Sequence, residues 1–344
     1  MRLVHIGLGG WGRDWERTVL PRVPEVDRVA VVEPDTAGLA AFQHAHDLPD
    51  RACATSLEQA LRQVEADGVL ITAPVGAHVP LALEALEAGL HVLVEKPFAP
   101  TAAEAATAVV RAEQLGLVLQ VSQNYRAYPA PRAARRLLRE GALGELSAVA
   151  VDFRKWSNDA PAATNPHYRF PQPLLVDMAI HHVDLLRFVT GREVQRVHAV
   201  TSSPPWSRFV EPAVASVLLE MTGGLVASYR GSWLSRGRPT PWAGEWSITG
   251  ELGELQLASR HGGEAPPADD ALVLRGPDGD ETPVELEVSA LWGRAAGLQQ
   301  FARAAAGGPP PEVTGRDNLA SLAVVEATVR SSQTGAVEDV VVPR

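Results

Sequence analysis

Hydrophobic and polar positions in the first third of the chain follow two alternating patterns. Short runs rich in β-branched residues occupy residues 2–7, 28–33, 68–73, 91–95 and 117–122. The stretches between them carry apolar residues three and four positions apart, over residues 12–20, 35–46, 56–64, 77–89 and 101–115. Buried strands separated by amphipathic helices predict a parallel sheet covered on both faces, which is a doubly wound α/β domain.

The pattern changes after residue 124. It predicts helices at 129–140, 173–190, 290–306 and 315–333, strands at 146–155 and 337–343, and hairpins that turn at 222–224 and near 250–253. Residues 261–283, rich in Gly, Pro and Asp, are predicted to be a loop or exposed turns. We therefore expect a Rossmann-type domain at 1–124, followed by an α+β domain at 125–344 with an open, mainly antiparallel sheet and helices on one side.

The strands around the first hairpin have apolar residues on both faces. Val217, Leu219, Leu225 and Ala227 alternate with neighbours that are themselves mostly apolar. Because two buried faces need two covering layers, this pattern predicts a homodimer or homotetramer formed through the second domain.

Composition and charge exclude several classes of protein. The net charge of −10 argues against a nucleic-acid surface, and the Arg132–Arg139 group is interpreted as a solvated helix face rather than a phosphate site. No apolar run approaches the ~20 residues of a membrane span. The single cysteine, Cys53, excludes an internal disulfide and a multi-cysteine metal site, so we predict no metal and a cytoplasmic location.

The stretch "VHIGLGGWG" contains Gly7, Gly9 and Gly12 in the spacing G-x-G-x-x-G, directly after a strand and at the start of a helix. In that context the first glycine permits a tight turn, the second lets the backbone approach a pyrophosphate, and the third lets helix and strand pack closely. A glycine-rich turn without a ligand is the alternative. Glu33 ends the second strand and can accept hydrogen bonds from the ribose 2′-hydroxyl of NAD, so NAD is predicted over NADP, although Arg13 lies nearby.

In "LLVDMAIHHVDLLRF", Asp177, His181 and Asp184 are spaced four and three apart, which places them on one stripe of a helix. His182 points elsewhere and is interpreted as structural. A carboxylate beside an imidazole fixes the tautomer that a general base needs. The alternative is an acid–histidine pair on a surface helix, but the neighbouring residues are apolar, and polar groups there need partners or a cavity.

These motifs resemble those of the Gfo/Idh/MocA oxidoreductases, a family that includes glucose–fructose oxidoreductase and inositol dehydrogenase. The glycine loop, "APVGAH" (73–78), "EKP" (95–97), "NYRAYP" (124–129) and "DMAIHHVD" (177–184) occur in the family's order, and the resemblance covers essentially the whole chain. It implies a Rossmann domain, an open-sheet second domain, and Lys96, Asp177 and His181 as catalytic residues.

The resemblance also assigns the cofactor side. Cofactor-binding residues are expected in the glycine loop, at the end of the second strand, in the 73–78 loop and at the end of the fifth strand: Gly7, Gly9, Gly10, Trp11, Gly12, Glu33, Pro74, His78, Glu95 and Lys96.

The chain has 29 arginines and two lysines, Lys96 and Lys155. A lysine ammonium is compact and its pKa can fall on burial, so Lys96 can hydrogen-bond the reacting oxygen and join a proton relay. A salt bridge between Lys96 and Glu95 is the simpler alternative. Lys155 and Trp156 are predicted to face the substrate together with Lys96 and His181, with an exposed Lys155 as the other possibility.

This sequence departs from the family pattern before the catalytic helix. Pro171-Gln172-Pro173 stands where the family often has glycines, and the preceding loop is longer. Both changes lie near the expected substrate position, so a simple sugar or inositol does not follow. His167, Tyr168 and Arg169 are interpreted as ordinary loop residues, with a place in the pocket as the alternative.

The leading hypothesis is an NAD(P)-dependent dehydrogenase that transfers hydride between nicotinamide and a secondary hydroxyl or ketone of a sugar, polyol or sugar derivative. Two alternatives remain: a non-catalytic, dinucleotide-sensing regulator, and NAD-assisted glycoside cleavage on the same scaffold.

Overall fold

The computed structural model describes residues 1–161, 163–263 and 266–344. Residue 162, in the predicted loop before the catalytic helix, and residues 264 and 265, in the predicted loop 261–283, lie outside the described residues. Contacts divide the chain into two compact units. The first contains Met1–Asn124, Gly293–Leu319 and Pro343–Arg344, and the second contains Tyr125–Trp292 and Ala320–Val342.

In the first unit, the described strands form a six-stranded parallel sheet with the order β3-β2-β1-β4-β5-β6. The strands are β1 (Arg2–Ile6), β2 (Asp27–Val32), β3 (Cys53–Ala54), β4 (Gly68–Ile71), β5 (His91–Val94) and β6 (Leu119–Val121). Between them run α1 (Gly10–Thr18), α2 (Thr36–His46), α3 (Leu57–Leu61), α4 (Val75–Glu87) and α5 (Ala102–Leu115). The predicted doubly wound domain is confirmed.

Side chains at the helix starts explain where several of these helices begin. Asp35, Ser56 and Thr101 each accept a hydrogen bond from a backbone N–H of the first turn of α2, α3 and α5. Such caps satisfy donors that have no partner within the helix. Gly116 ends α5 in the left-handed conformation that glycine adopts without strain.

The second unit contains, among its described residues, a nine-stranded mixed sheet with the order β14-β13-β12-β11-β7-β10-β9-β8-β15. Its strands are β7 (Leu146–Arg154), β8 (Val194–Ser202), β9 (Val214–Met221), β10 (Val226–Ser232), β11 (Glu245–Gly250), β12 (Gly253–Ala258), β13 (Ala271–Arg275), β14 (Glu281–Pro283) and β15 (Glu338–Asp339). Only the β7–β10 pair among these neighbours is parallel. The expected open, mainly antiparallel sheet is therefore confirmed.

The remaining α-helices are α6 (Pro129–Arg139), α7 (Ile180–Thr190), α8 (Gly293–Ala305) and α9 (Gly315–Thr334). The predicted division assigned every residue after 124 to the second domain. In the structure α8 and the start of α9 belong to the first unit instead, where Gln120 of β6 donates a hydrogen bond to the carbonyl of Gly297.

Three sequence-based expectations for the second unit need correction. β8 had no predicted counterpart, although it pairs with β9 along its length. β13 and β14 lie in the segment predicted to be a loop. β13 has the apolar run Leu272-Val273-Leu274 and pairs with β12, whereas the short β14 has weak strand propensity and pairs with β13. The predicted helix 173–190 consists of a π-helical turn, Leu175–Ala179, followed by α7.

The core of the second unit lies on one face of its sheet. Along β9, Ala215, Val217 and Leu219 are buried, whereas Leu218 is 53% exposed. Val226 on β10 is 45% exposed. The expectation that both faces are buried therefore does not hold within one chain, and the second face is open, with apolar side chains on it.

Candidate active site

Four loops of the first unit begin at one edge of its sheet. Gly7 follows β1, Glu33 follows β2, Ala73 and Pro74 follow β4, and Glu95 follows β5. These strands are parallel neighbours in the order β2-β1-β4-β5, so all four loops lie at their carboxyl ends. Ligands of open α/β sheets bind at that edge.

Two glycines of the loop are required by packing. Gly7 has φ +96°, and a Cβ there would lie 2.7 Å from the backbone nitrogen of Ala73. A Cβ on Gly12 would lie 2.0 Å from the carbonyl oxygen of Gly7. Neither position can accept a side chain without moving backbone.

Gly9 and Gly10 have a different role. Gly9 has φ −62°, which any residue can adopt. A Cβ on Gly9 or Gly10 would meet no atom within 4 Å. The absent side chains leave open space before the first turn of α1, where free N–H groups and the helix dipole favour a phosphate. This cradle fits the pyrophosphate of a dinucleotide.

Sequence reasoning missed a buried network beneath the loop. The imidazole of His5 lies 2.7 Å from a carboxylate oxygen of Glu16 and 2.9 Å from the hydroxyl of Thr72. Thr72 donates a 2.6 Å hydrogen bond to the carbonyl of Gly7. The network holds the carbonyl of Gly7 and so fixes the turn. In the sequence its one signal was a histidine, His5, within an apolar strand.

Glu33 also stabilises the glycine-rich loop. Its carboxylate accepts hydrogen bonds from the N–H of Leu8 at 2.8 Å and of Asp35 at 3.1 Å. Arg13 donates from Nε to the carbonyl of Leu8 at 3.0 Å. Trp11 is 44% exposed, with the guanidinium of Arg294 4.2 Å from its ring centroid.

The end of β5 is tightly organised. Glu95 is buried, and its carboxylate accepts hydrogen bonds from the indole N–H of Trp15 at 2.8 Å and from the backbone N–H of Lys96 at 3.1 Å. The contacts of Glu95 hold the backbone of Lys96 in place at the end of β5. The Lys96–Pro97 peptide bond is cis.

His78 links two of the loops, since its ring nitrogens lie 2.9 Å from the carbonyl oxygen of Pro97 and 2.7 Å from that of Ala73. Burial lowers the pKa of His78, so the imidazole is neutral near pH 7. Pro74 caps the start of α4. Both residues shape the edge on which a cofactor would lie.

In the second unit, Asp177 lies in the π-helical turn, where the N–H of Ala179 bonds to the carbonyl of Leu174 at 2.7 Å. Such turns are rare and occur frequently at functional sites. The Asp177 carboxylate lies 3.3 Å from Nε2 of His167. The interpretation of His167 as an ordinary loop residue is therefore not supported.

His181 lies at the start of α7, one helical turn after Asp177. Tyr125 stacks on its imidazole, with ring centroids 4.0 Å apart and ring planes 4° apart. His182 is fully buried, lies 3.0 Å from the carbonyl oxygen of Trp242, and has a pKa lowered by burial to about 4. A neutral, packed His182 agrees with the structural role expected from the sequence.

The third member of the predicted stripe has a different function. Asp184 is buried and accepts hydrogen bonds from Nε and Nη2 of Arg126, both at 2.6 Å, and from the hydroxyl of Ser321 at 2.9 Å. These partners account for the charge of Asp184, which ties α7 to its neighbours within the second unit.

The structure separates the two predicted substrate residues Lys155 and Trp156. The Lys155 ammonium lies 4.8 Å from the ring centroid of Trp242. Trp156 instead stacks on Trp206, with centroids 6.1 Å apart, and the guanidinium of Arg236 lies 3.7 Å from its ring. Neighbouring strand residues point to opposite sides, which explains the separation.

A parallel sheet with a glycine-rich phosphate cradle and an acid at the end of its second strand defines a dinucleotide-binding protein, here joined to an open-sheet α+β unit. Residues 1–123 match the model of the oxidoreductase family with an NAD-binding Rossmann fold, and residues 131–256 match that of the GFO/IDH/MocA C-terminal domain. The chain belongs to the Gfo/Idh/MocA family of oxidoreductases, and the family resemblance found in the sequence is confirmed. It is an enzyme whose cofactor is NAD.

Two characterised relatives are similar over much of their length. D-apiose dehydrogenase of Paraburkholderia graminis is 30% identical over 89% of this chain and 81% of its own. Inositol 2-dehydrogenase of Corynebacterium glutamicum is 30% identical over 66% of this chain and 65% of its own. An Agrobacterium radiobacter oxidoreductase, crystallised with NAD⁺, L-tartaric acid and magnesium, has the same fold, with a TM-score of 0.85, 22% identity, and coverage of 99% of this chain and 98% of its own.

Two kinds of feature are absent from residues 1–161, 163–263 and 266–344. Within those ranges no helix is both long enough and apolar enough to cross a bilayer. The same residues contain no group of three His, Cys, Asp or Glu side chains suited to holding a metal ion.

Proposed function

We propose that the protein is an NAD-dependent dehydrogenase that oxidises a secondary hydroxyl of a sugar, polyol or sugar derivative, or reduces the corresponding ketone. The observation that carries the proposal is the turn from Asp177 to His181, which joins an acid to an imidazole stacked on Tyr125. Relatives named D-apiose dehydrogenase and inositol 2-dehydrogenase support a sugar or polyol substrate.

The catalytic roles follow from the chemistry of the side chains. His181 removes the hydroxyl proton, because a neutral imidazole is basic enough near pH 7. Asp177 supports the resulting positive charge on His181. Lys96 donates a hydrogen bond to the reacting oxygen and stabilises the charge that develops there. NAD, when bound, supplies the nicotinamide that accepts the hydride.

The cofactor residues are proposed to act in two ways. Gly9, Gly10 and Trp11 lie where a dinucleotide would contact the loop. Gly7 and Gly12 are proposed to bind the cofactor through a turn that a Cβ would disrupt, and Pro74, His78 and Glu95 through the loops that they organise. Glu33 is proposed to accept hydrogen bonds from the adenosine ribose, which favours NAD over NADP.

Net NADH formation with a panel of free sugars and polyols tests this function. We expect turnover with at least one of them, lost by roughly 10²-fold or more in His181→Ala. Hydrolysis of a glycoside without net NADH would support NAD-assisted cleavage instead. NAD binding without any turnover would support a dinucleotide-sensing regulator.

We also propose a homodimer or homotetramer formed through the open sheet face of the second unit, in the reducing cytoplasm that a single free cysteine suits. Val200, Leu218 and Val226 are exposed on this face at 61%, 53% and 45%. Light scattering at micromolar concentration should show an oligomer, and Leu218→Arg should dissociate it. A monomeric wild-type protein would contradict the proposal.

A further inference from the structure

A group of cations and aromatic rings lies beside the imidazole of His181 in the second unit. Lys155, at the end of β7, places its ammonium 4.8 Å from the ring centroid of Trp242. The guanidinium of Arg260 lies 5.9 Å from the same centroid. Two cations therefore lie against one tryptophan.

Arg260 connects this group to the proposed catalytic base. Its guanidinium lies 4.6 Å from the ring centroid of Tyr125, and its Nη1 donates a 2.7 Å hydrogen bond to the Tyr125 hydroxyl. Tyr125 in turn stacks on His181. Contacts with the Trp242 and Tyr125 rings thus connect Lys155, Arg260 and His181.

The charge in this group is not balanced at Lys155. In the described ranges, no carboxylate lies within 4.0 Å of the Lys155 ammonium, which is half-buried. Burial first, and then repulsion from Arg260, lowers the pKa of Lys155. Holding the Lys155 ammonium near a guanidinium in a partly desolvated place costs free energy that an anion beside Lys155 would recover.

Asp270, an acid near this segment, accepts hydrogen bonds from the backbone and from a serine hydroxyl. Asp270 accepts hydrogen bonds from the N–H of Arg260 at 2.8 Å and from the hydroxyl of Ser259 at 2.7 Å. Burial raises the pKa of Asp270. Its carboxylate shapes the backbone at Arg260, whose φ is +62°, and does not reach Lys155.

The chemistry of the two cations defines what they can bind. Ammonium and guanidinium groups are donors only, so both select acceptor oxygens. A neutral sugar hydroxyl can accept one such bond, but an anionic oxygen group gains a charge-assisted bond from each cation. Trp242, whose ring lies near both cations, offers an apolar surface for the carbon skeleton.

We propose that the substrate carries an anionic oxygen group, a carboxylate or a phosphate, that binds between Lys155 and Arg260 while its reacting hydroxyl lies at His181. The substrate class is therefore an acidic derivative of a sugar or polyol rather than a neutral one. This inference rests on the proposed dehydrogenase function for the identity of the reacting group, but not for the anion site itself.

Matched probe pairs test the anion site by titration calorimetry on the full chain in the presence of NAD. The carboxylate pairs are D-glucuronate with D-glucose and D-gluconate with D-glucitol, and the phosphate pair is D-glucose 6-phosphate with D-glucose. We expect at least one anion to bind about 10- to 100-fold more tightly than its neutral partner, the range of a hydrogen bond to a charged group. The carboxylate and phosphate pairs distinguish the two sources of the charge.

Lys155→Gln should abolish that preference, and Lys155→Arg, which keeps the charge, should retain most of it. Arg154→Gln is the matched control, since Arg154 is the adjacent residue of β7 and pairs with Glu245 at 2.5 Å. It removes the same charge from the same strand and should leave the preference unchanged. Circular dichroism and thermal melting would establish that all three variants fold.

Two results would overturn the inference: no anion preferred over its neutral partner, or equal losses in Lys155→Gln and Arg154→Gln. NADH formation with neutral members of the panel alone would also reject it, while leaving the dehydrogenase function standing. A Lys155-dependent anion preference without any NADH formation would reject the dehydrogenase function and retain the anion site.

Discussion

The imidazole of His167 lies 3.3 Å from the carboxylate of Asp177, ten residues further along the chain. Trp233 and Phe209 hold the His167 ring edge-on, with ring centroids 5.1 and 5.4 Å away. The acid proposed to orient the catalytic base therefore lies beside a histidine that aromatic rings surround.

This relationship predicts that His167 is a positioning residue for Asp177. His167→Phe keeps the aromatic packing but removes the ring nitrogens, and we expect kcat to fall about tenfold while KM changes little. His167→Gln, which keeps an N–H donor, should recover part of the loss. His44→Phe on the exposed side of α2 is the control. Equal effects of the Phe and Gln variants would argue for a packing role alone.

Lys96→Arg tests the catalytic lysine. The substitution keeps the charge but changes the size and removes the titratable proton, so we expect kcat to fall by roughly 10²-fold or more. NAD affinity should change little, because Lys96 acts chiefly in the transition state. The same change at the other lysine, Lys155→Arg, should leave kcat near wild type and raise KM only modestly, because the charge that holds the substrate is kept. Near-wild-type turnover of Lys96→Arg would remove Lys96 from the catalytic set.

The two kinds of glycine in the phosphate loop predict opposite outcomes for the same mutation. Gly12→Ala places a Cβ 2.0 Å from a backbone oxygen, so it should lower the free energy of unfolding by about 1–3 kcal/mol or more. Gly9→Ala meets no atom within 4 Å and should fold normally but bind NAD about tenfold more weakly. Thermal unfolding and NAD titration would separate them. Equal stability of the two variants would contradict this assignment.

Cofactor choice should depend on Glu33. Its carboxylate lies at the end of β2, where it can bind a ribose 2′-hydroxyl and would repel a 2′-phosphate. We expect wild type to bind NAD more tightly than NADP, and Glu33→Ser to reduce this difference in affinity. Glu58 is an exposed acid on α3, and Glu58→Ser should leave the difference in affinity unchanged. A tenfold preference of wild type for NADP would refute this reading of Glu33.

The buried His182 predicts a specific loss of stability in acid. Its pKa is about 4 in the folded chain against 6.5 in a model peptide, so the unfolded chain binds more protons between these values. Its contribution is fully present above pH 6.5 and is lost as the pH falls toward 4. Between pH 7.5 and 5, wild type should lose about 2 kcal/mol more unfolding free energy than His182→Gln. Denaturant titrations at both pH values would measure the unfolding free energy of each protein. Equal losses in wild type and His182→Gln would disprove the prediction.

The sequence by itself determined the features that depend on local spacing. The period of the apolar residues fixed the alternation of strands and helices up to residue 124, because each element there is specified by its own neighbours. The glycine loop and the acid at the end of β2 could be recognised for the same reason. The spacing of Asp177 and His181 likewise required only one helical turn.

Only the tertiary structure decided which distant residues meet. Arg260 reaches Tyr125 across 135 positions, and Lys155 lies beside Arg260 from a strand 105 residues earlier, separations that no periodicity encodes. β14, with the sequence Glu281-Thr282-Pro283, became a strand because β13 offered an edge to pair with, although its own sequence has weak strand propensity. Pairing and burial are set by the partner as much as by the residue, which is why the catalytic helix could be found in the sequence while the surroundings of its histidine could not.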